Sequence, residues 1–453
     1  MRTRRHVIAL AFLALALAPA RSTHAQTRVA DPSYRDAQQQ LRAATRDTIG
    51  RGADIGRLDT LGVALLRLDR LGDAARVFAR VIALDPYDAS ANAGLGKMAL
   101  FRDSLADADT LLARALARDR DPETVRDLYA ARLRQGRWAD AAALAEEAGE
   151  AGRREALLAQ AETPPCAITA GPDEDHIPFA VTFPVPCVRV RIDGESVLLA
   201  IDTGARELLL DDHVARRVRL RVRAEQVPLD WMGHTQTVTV AVTPTMQIGR
   251  FTLADVPTGL LNLRKYGLSL NPRSEPVVGV IGLQMLRAFV PTFDYHRNEL
   301  VLRRPSAPAT PVAAKAVRIP FEIRGEADMF VHAELAGGRA MALEVHSGIP
   351  ECGVMASEAV FTEVGLKAGT VSRMMGSANS WIQGNPWARV AVPSVVLGGV
   401  VQSGVPGWAV RGEGIDLWRD GVRSDGFVSH DLFRGWRVTY DWAARQMVFE
   451  PKE

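Results

Sequence analysis

Two short segments of the sequence each place a polar side chain and a glycine directly after an apolar run. The segments read LAIDTGA over residues 199–205 and LEVHSGI over residues 343–349. A carboxylate in such a turn can act as a general base towards a water molecule, and a second carboxyl group beside it can act as the acid. Asp202 and His346 hold the equivalent positions of the two segments, so they are the candidate catalytic residues.

The two segments belong to an internal repeat that extends over the second half of the chain. Asp202 and His346 are 144 residues apart. Three further pairs of landmarks follow in the same order at displacements between 143 and 147 residues: 231–233 with 374–376, 280–287 with 427–434, and 289–295 with 436–442. Short alternating strands and Gly/Pro turns make this half mainly β. The repeat predicts two homologous lobes, at residues 187–303 and 317–450.

The first lobe resembles the pepsin and retropepsin superfamily of aspartic peptidases. The resemblance rests on the strand that ends in Asp202-Thr203-Gly204, on a hairpin with Gly233 at its tip, and on the late apolar strand that ends at Gly282. It implies that an extended polypeptide binds in a cleft between the lobes. It also implies site residues of three kinds: Asp202 and His346 at the catalytic positions, Thr203, Gly204, Ser347 and Gly348 as loop support, and Trp231, Met232, Gly233, Met375 and Gly376 in the flaps.

The second lobe departs from the family at the catalytic position, where His346 replaces the second aspartate. An imidazole beside Asp202 favours an ion pair, which leaves no carboxylic acid to protonate the leaving group. We therefore expect a polypeptide-binding protein with impaired hydrolysis. Two alternatives stay open: an active aspartic endopeptidase that uses Asp202 with His346 or with a second chain, and a non-enzymatic scaffold.

Glu344 and Ser429 bear on the same departure. Glu344 lies on the same side of its strand as His346. It can bond the imidazole or replace the second carboxylate, but the expected interpretation is a charge accommodated at the surface of the lobe. Ser429 stands where the first lobe has Gly282, which also indicates a degenerate second lobe.

Residues 35–160 form the other half of the architecture and are predicted as helices, because apolar residues recur at spacings of three and four. Asp73, Asp107 and Asp140 stand in three similar segments, 34 and 33 residues apart. This period resembles a tetratricopeptide array of about three units. The array implies either a surface for a protein partner or a spacer or cap for the next domain.

The Pro- and Gly-rich residues 162–186 that follow the helices are predicted as a linker. The predicted fold class is multidomain α + β: a helical repeat array followed by a mainly-β, two-lobe fold like that of pepsin and retropepsin.

The N-terminus has the composition of a signal peptide. Three arginines precede an apolar run over residues 7–18, and small residues at Thr23 and Ala25 suit cleavage after Ala25. We therefore expect residues 1–25 to be removed and the mature protein to be periplasmic or secreted. The rest of the sequence has no apolar stretch long enough for a membrane span.

Composition and cysteine use complete the sequence-based expectations. The 453 residues carry a formal net charge of +2, which is too weak a bias to indicate a nucleic-acid partner. The sequence has no metal-ligand spacing motif, so we expect no metal and no cofactor. Cys166 and Cys187 are the better pair for a disulfide among the three cysteines, although all three can also be reduced.

Overall fold

The computed structural model describes residues 17–18, 34–51, 54–183, 185–231, 234–263, 275–349, 352–370, 387–411 and 418–452. Within these residues, a helical N-terminal part is followed by two lobes built mainly of strands. The predicted fold class is therefore confirmed. No helix among the described residues is long and apolar enough to cross a membrane.

The helical part consists of helices that pack in sequence order. They are α1 (Tyr34–Arg51), α2 (Ile55–Arg67), α3 (Leu71–Leu84), α4 (Ala89–Phe101), α5 (Leu105–Leu116), α6 (Pro122–Arg134), α7 (Trp138–Leu144) and α8 (Arg154–Glu162). Each of α2, α4 and α6 forms a hairpin with the helix that follows it. The repeat of 34 and 33 residues therefore corresponds to one helical hairpin.

Side chains at equivalent positions explain why this period forms hairpins. Asp54, Asp88 and Asp121 precede α2, α4 and α6, and each carboxylate accepts a hydrogen bond from the backbone N–H three residues later. These N-caps satisfy backbone donors that the helix itself leaves unpaired. Phe78 fills the space between neighbouring helices, where a Cβ at Gly62 would lie 2.5 Å from its ring.

The two lobes contain strands in equivalent order. The first lobe has β2 (Ala167–Ala170), β3 (Glu174–Pro178), β4 (Cys187–Ile192), β5 (Glu195–Ile201), β6 (Leu208–Asp211), α9 (Asp212–Ala215), β7 (Arg221–Trp231), β8 (His234–Ile248), β9 (Phe251–Leu261), β10 (Val277–Ile281), α10 (Leu283–Leu286), β11 (Val290–Asp294) and β12 (Glu299–Arg303). Leu17–Ala18, within the predicted signal peptide, forms β1 and pairs with the end of β7.

The second lobe repeats the pattern after a connecting segment over residues 304–316. It has β13 (Val317–Pro320), β14 (Glu322–Arg324), β15 (Asp328–Leu335), β16 (Ala340–His346), β17 (Val354–Ser357), α11 (Glu358–Glu363), β18 (Trp387–Leu397), β19 (Val400–Val410), β20 (Trp418–Arg419), β21 (Val422–Arg423), β22 (Gly426–Ser429), α12 (His430–Phe433), β23 (Trp436–Asp441) and β24 (Gln446–Pro451).

Strand pairing relates the two lobes to each other. In the first lobe β5 runs parallel to β10, and in the second lobe β16 runs parallel to β22. The lobes meet in a six-stranded sheet of order β13-β24-β23-β11-β12-β3. At its centre Thr292 pairs with Thr439, and their hydroxyl oxygens are 2.7 Å apart. These two residues are 147 positions apart, so the internal repeat of the sequence corresponds to an approximate twofold relation between the lobes.

Two features differ from the sequence-based expectations. The predicted linker, 162–186, contains β2, which pairs with β9, and β3, which pairs with β12, so much of it belongs to the sheets of the β domain. All three cysteines are buried and free, so the expected pair does not form. Cys166 and Cys187 pack in two different hydrophobic clusters, which keeps their thiols apart.

Buried polar contacts fasten the helical part to the second lobe. Lys97 of α4 is 6% exposed at its side chain, lies 3.1 Å from Asp127 and donates a hydrogen bond to the backbone oxygen of Asp420. The fully buried Arg324 of β14 pairs with Asp69, in the turn between α2 and α3. The bond from Lys97 to Asp420 and the pair of Arg324 with Asp69 both cross from the helices to the lobe, and a buried charge that loses its partner costs several kcal/mol.

Candidate functional site

The two predicted catalytic loops face each other at the junction of the lobes. Thr203 donates a hydrogen bond to the Val345 oxygen (2.7 Å) and accepts one from the Ser347 N–H (3.0 Å). Ser347 donates in the same way to the Ile201 oxygen (2.9 Å) and accepts from the Thr203 N–H (2.9 Å). The two hydroxyls thus make reciprocal bonds that tie each loop to the other.

The two loop glycines allow this close approach. A Cβ at Gly204 would lie 1.8 Å from the His346 ring, and a Cβ at Gly348 would lie 2.2 Å from the Asp202 carboxylate. Their backbone N–H groups both donate to the same oxygen of Asp202, at 2.9 and 3.1 Å. Any larger residue at either position would therefore push the opposite side chain away.

His346 lies between two carboxylates. Its Nε2 is 2.9 Å from Glu344 Oε1, and its Nδ1 is 3.5 Å from Asp202 Oδ1, an ionic contact longer than a hydrogen bond. The ring is 0% exposed and packs edge-on against Phe427. Burial alone lowers the pKa of His346, but the charges of Glu344 and Asp202 outweigh it and raise the pKa to about 10. The imidazole is therefore protonated at neutral pH.

This arrangement differs chemically from a pair of carboxyl groups that share a proton. A general acid works best when its pKa is near the working pH, and an imidazolium with a pKa of about 10 releases its proton poorly. Asp202 is 1% exposed, so little room is left beside it for an attacking water. The arrangement seen is a cation held between two carboxylates.

The expected surface position of Glu344 is wrong, because its side chain is fully buried. The alternation along β16 correctly puts Glu344 on the side of His346. However, β16 is buried from Met341 to His346, so no side of the strand faces water. The one sequence signal that Glu344 is a partner of His346 is that the two residues are two positions apart in a strand.

Ser429 marks a second difference between the lobes. A Cβ at Gly282 in the first lobe would lie 2.4 Å from the backbone oxygen of Glu207. In the second lobe the Ser429 side chain fits and donates a 2.6 Å hydrogen bond to the Ile349 oxygen. The backbone around Ser429 therefore leaves room for a side chain that the backbone around Gly282 does not.

The flap residues are only partly described. Trp231 is the last residue of β7, while Met232, Gly233, Met375 and Gly376 lie outside the described residues.

A potential metal-ligand set lies elsewhere, between the helices and the second lobe. Asp69, Glu322 and His332 form the one such group found among the described residues. The Arg324 guanidinium already bonds both carboxylates, at 2.6 and 2.9 Å. This cationic partner does not suit a metal ion.

Comparison with known proteins agrees with the geometry of the first lobe. Residues 188–285 match the family model described as aspartyl protease. This match spans Asp202 and the late strand that ends before Gly282. No curated protein matches the sequence.

Among solved structures, the chain is similar to the aspartic proteinase from Irpex lacteus. The two are 11% identical, and the alignment covers 62% of this chain and 98% of that one with a TM-score of 0.40.

The charge on His346 predicts a pH dependence of stability. Because folding raises its pKa from 6.5 to about 10, the native state binds the extra proton in this range. The resulting stabilisation is complete below pH 6.5 and is lost as the pH rises through 10, at a slope approaching about 1.4 kcal/mol per pH unit. Urea unfolding of the wild type and of His346→Gln at pH 7 to 10 measures this difference. A difference that stays constant with pH would contradict a protonated His346.

Proposed function

We propose that the protein is an exported, aspartic-peptidase-like protein that binds extended polypeptide in the cleft between its lobes and hydrolyses it slowly or not at all. The observation that carries this proposal is the contact of His346 with both Glu344 and Asp202. The family match and the paired loops support a peptidase-like cleft, while the imidazolium replaces the acid that hydrolysis needs.

The two routes to an active enzyme have less support. A second chain would have to place a carboxylate opposite Asp202, but the loop with His346 already fills that side. Glu344 could act as the second carboxylate only if it reached Asp202, and the imidazole of His346 stands between them. The absent acid–base step is worth roughly 10² to 10⁴ in rate.

We further propose that the helical hairpins are tetratricopeptide-like units that cap the second lobe. Their period and the docking of Lys97 on Asp420 support this role. A protein partner would then bind away from the docked face. Leu84 and Tyr87 are candidates for such a contact, because both large side chains are 58% exposed, at the end of α3 and in the turn before α4.

Restoring a carboxyl pair tests the proposed loss of hydrolysis. The double variant His346→Asp/Glu344→Ala copies the first lobe, which has Asp202 and Ala200 at the equivalent positions. We expect it to cleave denatured casein at pH 4 to 5 at least 100-fold faster than the wild type, within the roughly 10² to 10⁴ of an acid–base step. Single His346→Asp serves as a comparison, since the buried Glu344 charge remains in it.

The decisive control is Asp202→Asn in both backgrounds. It should abolish the restored cleavage and leave the low wild-type rate unchanged. Strong wild-type cleavage that disappears in Asp202→Asn would overturn the proposal in favour of an active enzyme.

Polypeptide binding is tested separately with a photo-cross-linking derivative of denatured casein. If the cleft binds an extended chain by strand addition, cross-links should fall on the β7–β8 hairpin and on the predicted second flap around Met375 and Gly376. Unlabelled denatured casein should compete, and native globular protein should not. Cross-links confined to the helical hairpins would instead support the scaffold.

A further inference from the structure

A cavity of about 350 Å³ lies between the helical part and the first lobe, lined by residues other than the paired loops. Its volume is within the range of small-molecule sites. Apolar side chains form the walls: Leu133, Trp138 and Leu157 from the helices, and Val240, Val242 and Ala288 from the lobe. An apolar molecule of moderate size can therefore be enclosed between the two domains.

The carboxylates that line the cavity already have arginine partners. Glu207 receives both terminal nitrogens of Arg153, at 3.1 and 3.2 Å. Glu326 pairs with Arg206 across the same space. Because each carboxylate is matched, this part of the lining offers a ligand little excess negative charge.

The other two arginines in the lining share one carboxylate, that of Asp103. Arg134 holds it closely through Nε and Nη2 and also donates to three backbone oxygens. Arg287 reaches Asp103 only at 3.4 Å and lies over the ring of Trp442. Two guanidinium groups against one carboxylate leave an excess positive charge. Within the part of the chain that the structure describes, Asp103 is the one side-chain hydrogen-bond partner of Arg287, so most of its donors can reach a ligand.

Burial makes that charge attractive to an anion. It lowers the pKa of Arg287, and Asp103 offsets this only in part. A charge-assisted hydrogen bond from a guanidinium is stronger than a neutral one, particularly where water is partly excluded.

We propose that this cavity binds a small monoanionic acid with an apolar body, whose acid group pairs with Arg287 and whose body packs against Trp138 and Val242. The cavity does not include the paired loops, and it shares with the proposed polypeptide cleft only β8, which carries Val240 and Val242. Since its walls come from both domains, a bound acid stabilises their docking and the folded protein as a whole.

Octanoate is the probe, because it combines one carboxylate with an apolar chain. Isothermal titration calorimetry of the full chain should show octanoate binding at least tenfold more tightly than octan-1-ol. Inorganic phosphate, which has charge but no chain, should bind weakly if at all. Hexanoate should bind roughly 15-fold more weakly than octanoate, because it lacks two CH₂ groups and each buried CH₂ contributes about fourfold in affinity.

Three variants locate the site. Arg287→Met should weaken octanoate at least tenfold and leave octan-1-ol unchanged, while Arg287→Lys should keep part of the octanoate affinity. Val242→Trp fills the cavity and should block both ligands. Arg219→Met, whose arginine side chain is 89% exposed, is the matched control and should change nothing.

The proposal is overturned if octanoate does not bind, if octan-1-ol binds equally well, or if phosphate binds as tightly as octanoate. Octanoate binding that survives both Arg287→Met and Val242→Trp would also overturn it. Far-ultraviolet circular dichroism identifies any variant that fails to fold, and the remaining variants then decide the outcome.

Discussion

The rest of the central site depends on the buried imidazolium of His346. Glu344 and Asp202 are both nearly inaccessible to water, and two such carboxylates would repel each other without a cation between them. His346 supplies the cation, and the N–H groups of Gly204 and Gly348 add hydrogen bonds to Asp202. The two lobes are therefore joined at their centre by a charge cluster whose members each need the others.

The reciprocal bonds of Thr203 and Ser347 are separate from this charge cluster. They use hydroxyl and backbone groups alone, so they persist whether the second catalytic position holds an acid or a base. These contacts between the loops therefore do not require a second aspartate at position 346. Under the proposed function, the ring of His346 holds the proton that two carboxyl groups would otherwise share.

The features that repeat within the chain can be predicted from the sequence. The displacement between the lobes anticipates the facing of Thr203 and Ser347 and of Thr292 and Thr439, because residues related by an internal repeat occupy equivalent places. Whether a side chain is buried is harder to predict from the sequence, since burial depends on residues that are distant along the chain. From the sequence alone Glu344 is expected to be a surface charge, and only the structure shows that β16 is buried on both sides. The two strands within 162–186 are likewise recognised only through their pairing with β9 and β12.

Nitrogen-15 NMR of the histidine rings at pH 8 tests the central claim most directly. The sequence contains nine histidines, and the signals absent from a His346→Gln sample identify this one. We predict that both ring nitrogens of His346 show the shifts of a protonated imidazolium at pH 8 and lose them only near pH 10. A neutral ring at pH 8, with one protonated and one unprotonated nitrogen, would contradict the account.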